Sequence, residues 1–184
     1  PTETVYGLGA LATDDMAVAR LYQVKQRPKV NPLISHFADT DSALAAAKIT
    51  KIALRLAEEF WPGPLTLIID RHSKSPTCLL ATAGMDNLAI RVPDHKVALA
   101  LIKSTGCPVV APSANMSGKL SPSCVSHISE QLAASCAVIL DGGPCRNGLE
   151  STVIDCRSNG AIILRPGPIT PDLIYARTGH KIDF

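Results

Sequence analysis

Lys25, Arg27 and Lys29 fall within five residues, in a stretch Lys25-Gln26-Arg27-Pro28-Lys29-Val30-Asn31-Pro32-Leu33 that also carries two prolines and an amide. Closely set cations beside an amide suit a polyanion such as a nucleoside triphosphate. Taken alone, a K-x-R cluster fits a solvated loop as readily. Pro112-Ser113-Ala114-Asn115-Met116-Ser117-Gly118 leaves an apolar run and precedes a helical pattern. Open sheets offer backbone N–H groups and short side chains to phosphate or sugar at such places, although the same residue types also favour a plain turn.

Two arginines have an environment written into their neighbours. Arg91 sits inside Ala89-Ile90-Arg91-Val92-Pro93, a strand-like run in which an unpaired charge is costly. It therefore needs an anion, either an internal Asp or Glu or the carboxylate of a small substrate. Arg165, in Ile163-Leu164-Arg165-Pro166-Gly167, is restricted by the following proline and can clamp a phosphate or pair with a surface carboxylate. Leu149-Glu150-Ser151-Thr152-Val153 opens another strand with a hydroxyl pair, and His36 lies in the run Ile34-Ser35-His36. For a lone strand histidine a structural role is the commoner one.

Other chemistries are excluded by what is missing. There is no G-x-x-x-x-G-K-[ST], no G-x-G-x-x-G opening a helix and no G-x-S-x-G. His72, His95, His127 and His180 have no H-x-x-x-H spacing, so no protein-built metal site is expected. The six cysteines contain no C-x-x-C pair, and Cys107, Cys136 and Cys156 read as small reduced core residues. None is a candidate nucleophile.

The elements that must position these residues alternate in period. Asp14 or Asp15 can cap a helix over Met16 to Gln26 that stops at Pro28. Strands are expected at Pro32 to Phe37, Leu65 to Ile69, Leu88 to Val92, Pro108 to Ala111, Ala137 to Leu140, Ser151 to Asp155 and Ala161 to Leu164. Helices are expected at Ser42 to Lys48, Lys51 to Phe60, Lys96 to Ser104, around Cys124 to Ala133 and at Pro171 to Arg177. Asp141-Gly142-Gly143-Pro144 and Ser158-Asn159-Gly160 read as turns. This order predicts an α/β fold, a twisted open mixed sheet with flanking helices, as a single domain over residues 1–184. With 46% hydrophobic residues the chain can bury one sizeable core. The net charge of +2 gives no global attraction for nucleic acid, so such contact must come from a local patch. With no apolar run of about 18 residues and no signal-peptide pattern, a soluble, cytoplasmic protein without a membrane partner is expected.

Read together, P-T-E-T-V-Y-G-L-G, K-x-R-x-x-x-N-P-L, W-P-G-P-L-T, R-V-P, S-A-N-x-S-G, E-S-T-V and L-R-P-G stand in the order found in the YrdC family, the threonylcarbamoyl-AMP synthases. The resemblance spans residues 1 to about 168. It implies a positively charged concave face that takes ATP with Mg2+ and L-threonine. In such enzymes bicarbonate or CO2 carboxylates the threonine amine, and the carbamate attacks the α-phosphorus of ATP and expels pyrophosphate. The product serves formation of threonylcarbamoyladenosine in tRNA, so a downstream threonylcarbamoyl transferase and weak tRNA contact are implied partners.

Carried over position by position, the resemblance makes Lys25 and Arg27 the catalytic cations. With Asn31, Asn87, Ser113, Asn115, Ser121 and Arg165 they form the ATP set. Thr4, His36, Arg91, Ala111 and Ser151 form the threonine set. Three positions depart from the usual pattern: Gln26 where many members have Gly, Pro112 where Thr is common, and Asn87 where another small residue often sits. The family also implies a basic segment and an edge strand ahead of Pro1, and the end at Phe184 resembles the short, single-domain type. Two rivals remain: the carbamoyl-adenylate module of hydrogenase-maturation carbamoyltransferases, and a non-catalytic RNA-binding module. With one Trp, three Tyr and three Phe, the latter has few rings for base stacking.

Overall fold

A computed structural model describes residues 1–157 and 160–183. Its seven strands are β1 (Ala10–Leu11), β2 (Ile34–His36), β3 (Leu65–Asp70), β4 (Asn87–Arg91), β5 (Val109–Val110), β6 (Thr152–Asp155) and β7 (Ile162–Arg165). The helices are α1 (Asp15–Lys25), α2 (Thr40–Ala45), α3 (Lys51–Phe60), α4 (Lys96–Thr105), α5 (Glu130–Ala133) and α6 (Pro171–Thr178). The strands form one open sheet in the order β1-β5-β2-β4-β3-β6-β7. β2 pairs with β4 and β3 with β6 in parallel, and the remaining pairs are antiparallel. The mixed α/β sheet predicted from the sequence is the architecture found.

Strand alternation sorts the sheet into an apolar and a polar face. Leu65, Leu67, Ile69, Leu88, Ile90 and Ile154 pack against Ala53, Leu56, Ala57 and Phe60 of α3 and Ile174 of α6. The intervening residues Thr66, Ala89, Arg91 and Val153 point the other way, as does His36, which is in register with Arg91. Burying one face therefore commits the other to polar chemistry.

Several boundaries differ from the sequence reading. Asp14 is the N-cap of α1, accepting from the Met16 and Ala17 amides at 2.8 and 3.1 Å. The helix stops before Pro28 because Gln26 adopts the left-handed conformation, φ 51°. Ala137 to Leu140 is not a strand: it pairs with none of the seven, although its composition favours β structure, and Val138 is 65% exposed. The helix expected around Cys124 to Ala133 is broken into a 3-10 turn, Val125–His127, and α5, because Ser129 caps α5 from an extended backbone. The helix expected to reach Lys48 ends at Ala45, and the Lys48 amide instead bonds the Asp70 carbonyl. The two-residue edge strand β1 was not foreseen. Of the predicted turn at Ser158-Asn159-Gly160, the first two residues lie outside the described ones. Of the three expected core cysteines only Cys156 is fully buried, its thiol pushed up to about 12 by burial, while Cys107 and Cys136 are half-buried.

Candidate active site

The polar face becomes a site because three loops and the amino-terminal segment converge on it. Lys25, the last residue of α1, is buried and gives its ammonium to the backbone carbonyls of Ser113 and Asn115. In return the Ser117 hydroxyl donates to the Lys25 carbonyl at 3.0 Å. The cation loop and the S-A-N loop are thus tied together through one lysine. Burial, reinforced by the nearby Arg27 charge, lowers Lys25 to about 8.

Arg27 is braced by its own loop, Nε on the Asn31 carbonyl at 3.1 Å and Nη2 on the Pro32 carbonyl at 3.0 Å. Both cations at this end are therefore held by carbonyl dipoles, which orient a charge without neutralising it. Asn31 takes part through its backbone, which also accepts from the Tyr22 hydroxyl at 3.0 Å, and it is exposed. Asn115 donates through Nδ2 to the Lys119 carbonyl and leaves its Oδ1 buried without a partner. Ser113 is half-buried where the loop bridges Gly7.

Glu150 joins this end to the next. It accepts from the Ser121 hydroxyl at 2.7 Å through Oε1 and from Arg165 Nη1 at 2.5 Å through Oε2. Arg165 also donates to the Ser151 carbonyl and, at 3.0 Å, to its hydroxyl, which in turn meets the Thr66 hydroxyl at 2.7 Å. Arg165 faces this way because of a β-irregularity. Ile154 pairs with Ile163 but Val153 with Arg165, so Leu164 is an extra residue. By simple alternation Arg165 would share the core face of Ile163. Gly167 completes the exit, since a Cβ there would lie 2.4 Å from the Thr152 amide nitrogen.

Arg91 and its partners make the other end. Arg91 is 4% exposed and donates to Glu3 Oε1 at 2.7 Å, Thr4 Oγ1 at 3.0 Å and the Gly63 carbonyl at 3.2 Å. Of the two anions its burial could require, the protein supplies an internal one. Gly63, in the W-P-G-P break, is irreplaceable for space: a Cβ would sit 2.3 Å from the Phe60 carbonyl oxygen. His36, paired in register with Arg91, is buried with Nδ1 3.2 Å from the Ile34 carbonyl. Burial and then the Arg91 charge lower it to about 3, so it is neutral at physiological pH. The Ala111 amide donates to the Ile34 carbonyl at 3.2 Å, placing that backbone beside β2.

The structure thus links Lys25 with Ser113 and Asn115, Arg27 with Asn31, Ser121 with Arg165 and Ser151, and Arg91 with Thr4 and His36. Asn87 shares the polar face of β4 with Ala89 and Arg91. It lies at the far end of β4 from Arg91, opposite Asp70, about 13 Å along the strand, and among the described residues its amide meets Met85 Sδ at 3.9 Å. Glu3 and Glu150 were missed as site residues, although both lie within motifs that marked the site. The signal available was the need of two arginines for counter-charges. Among the described residues no group of three or more His, Cys, Asp or Glu could hold a metal ion, and no helix is long and apolar enough to cross a membrane.

The chain is similar to known proteins in sequence and in fold. Threonylcarbamoyl-AMP synthase of Bacillus subtilis is 47% identical over 182 residues, covering 97% of this chain and 52% of its own length. A crystal structure of P. abyssi Sua5 complexed with L-threonine superposes with a TM-score of 0.93 at 43% identity, covering 100% of this chain and 54% of that one. E. coli YciO gives a TM-score of 0.79 at 25% identity over 91% of this chain and 81% of its own. The chain therefore spans about half the length of the first two. The Sua5/YciO/YrdC family model, described as telomere recombination, matches residues 1–167, and the chain belongs to that family.

Proposed function

We propose that this protein is a threonylcarbamoyl-AMP synthase, converting L-threonine, bicarbonate or CO2, and ATP to threonylcarbamoyl-AMP and pyrophosphate. The observation that carries the reading is the graded charge of the polar face. An end with two cations held only by carbonyls stands beside an end where arginine and glutamate are paired. The first suits the phosphates of ATP and the second an amino acid. The names of the relatives and the threonine bound to the Sua5 relative support the same assignment.

In this reading Arg27 and Lys25 stabilise charge on the phosphates as pyrophosphate leaves, and Lys25 also fixes the Ser113–Asn115 loop. Ser113, Asn115 and Asn31 line the phosphate path. Asn115 Oδ1, without a hydrogen-bond partner among the described residues, accepts from a ligand N–H or O–H. Arg165 and Ser121, already ordered by Glu150, hold the nucleotide. Mg2+ enters with ATP as its counter-ion.

Arg91 offers Nη1 to the threonine carboxylate, while Thr4, neutral His36, Ser151 and the Ala111 backbone surround the amino acid. No protein nucleophile is required: the threonine carbamate attacks the α-phosphorus, and the protein contributes positioning and charge. The product passes to a downstream threonylcarbamoyl transferase acting on tRNA, with weak tRNA contact and a cytoplasmic location.

The test is pyrophosphate release from ATP with threonine and bicarbonate, each omitted in turn. Release that needs both supports the synthase. Release independent of threonine, or its absence from folded protein that binds ATP, contradicts it.

A further inference from the structure

The Arg91–Glu3 pair leaves one charged donor and one charged acceptor unmatched. Arg91 spends Nε on Gly63 and Nη2 on Glu3 and Thr4, so Nη1 has no hydrogen-bond partner among the described residues. Glu3, 1% exposed, accepts through Oε1 and leaves Oε2 buried without a partner. Of the other titratable groups, His36 lies in register with Arg91 and is uncharged at neutral pH, Arg165 adds to the positive field at Arg91, and His95, Cys145 and Arg146 feel the charge of Glu3. A simple carboxylate would satisfy Arg91 while meeting the field of Glu3. An α-amino acid, carrying a carboxylate and an ammonium together, complements both halves of the pair.

Resting on the reading that this end of the site takes an amino acid, we propose that Glu3 is its specificity-determining residue, selecting a zwitterion over a carboxylate that lacks the amine. Glu3 neutralises Arg91, so a carboxylate alone gains little, and its own charge favours an ammonium nearby. Because Oε2 is enclosed, Glu3 works through its field and through the orientation it imposes on Arg91. It is a positioning residue and forms no bond to the reacting atoms.

Calorimetric titration with L-threonine and with 3-hydroxybutyrate, which is threonine without its amine, tests this on the wild type, Glu3→Gln and Glu3→Asp. The wild type should prefer threonine by about tenfold or more, and Glu3→Gln should shrink that ratio to within about threefold, chiefly by tightening 3-hydroxybutyrate. Glu3→Asp, which keeps the charge, should retain most of the preference. An unchanged ratio in folded Glu3→Gln overturns the proposal. So does a wild type that binds the two ligands equally, a result that needs no variant to fold. Absence of threonine binding to the wild type would instead remove the amino-acid reading itself.

Discussion

The two ends of the polar face satisfy their cations by opposite means. At the Lys25–Arg27 end the partners are backbone carbonyls of Ser113, Asn115, Asn31 and Pro32, no carboxylate pairs directly with either cation among the described residues, and Glu150 reaches Lys25 only through its field. At the Arg91 end the partner is a buried carboxylate, and the pair is neutral. Oriented charge without a directly paired carboxylate is what a polyanion requires, because no ion pair must be broken on binding. A neutral ion pair favours a ligand that is neutral as a whole and charged in parts. Arg165 stands between the two, held by the half-exposed Glu150.

The largest expected effect breaks the phosphate end. Arg27→Ala should lower turnover by about 10²–10³-fold with the fold intact by circular dichroism, and near-normal turnover would remove Arg27 from the chemistry. Next, Arg91→Ala leaves Glu3 as a buried, unpaired carboxylate. Denaturant unfolding should register a loss of about 3–5 kcal/mol, and kinetics a rise in KM for threonine well beyond that for ATP. Equal rises would make Arg91 purely structural.

The comparison also has a pH signature. Lys25 titrates at about 8, against 10.5 for a free lysine, so its charge is present below pH 8 and fades as the pH rises. kcat/KM for ATP should fall through that range, and Lys25→Met should lack the step. The stability sign is opposite: folding disfavours the Lys25 proton, so that cost is full below about pH 8 and is relieved toward 10.5. His36, lowered to about 3, contributes no activity limb between pH 5 and 7. The smallest effect sharpens the loop geometry. Gln26→Gly should relieve the left-handed strain at φ 51° and stabilise the protein by about 1 kcal/mol without changing kcat, read as a rise in Tm.

Much of this architecture was legible where a local rule and the tertiary structure agree. Asp14 caps α1, and the core strands Leu65–Asp70 and Asn87–Arg91 lie within a residue of their expected bounds. The departure at Gln26 also has its explanation: it occupies the one left-handed position at the end of α1, where glycine costs least. Illegible features depended on pairing across the chain. Ala137 to Leu140 has β composition but no strand beside it, and the irregularity at Leu164 turns Arg165 away from the core. The demand of Arg91 for an anion could be read from its apolar neighbours. That Glu3, 88 residues away, meets that demand could not.

The most direct test of two chemically distinct ends is to titrate ATP and L-threonine separately against Arg27→Ala and Arg91→Ala. The account predicts that Arg27→Ala weakens ATP by about tenfold or more and leaves threonine within about twofold, and that Arg91→Ala does the reverse. Equal weakening of both ligands by both variants would contradict it, and would mean that the four charged side chains act as a single undivided field.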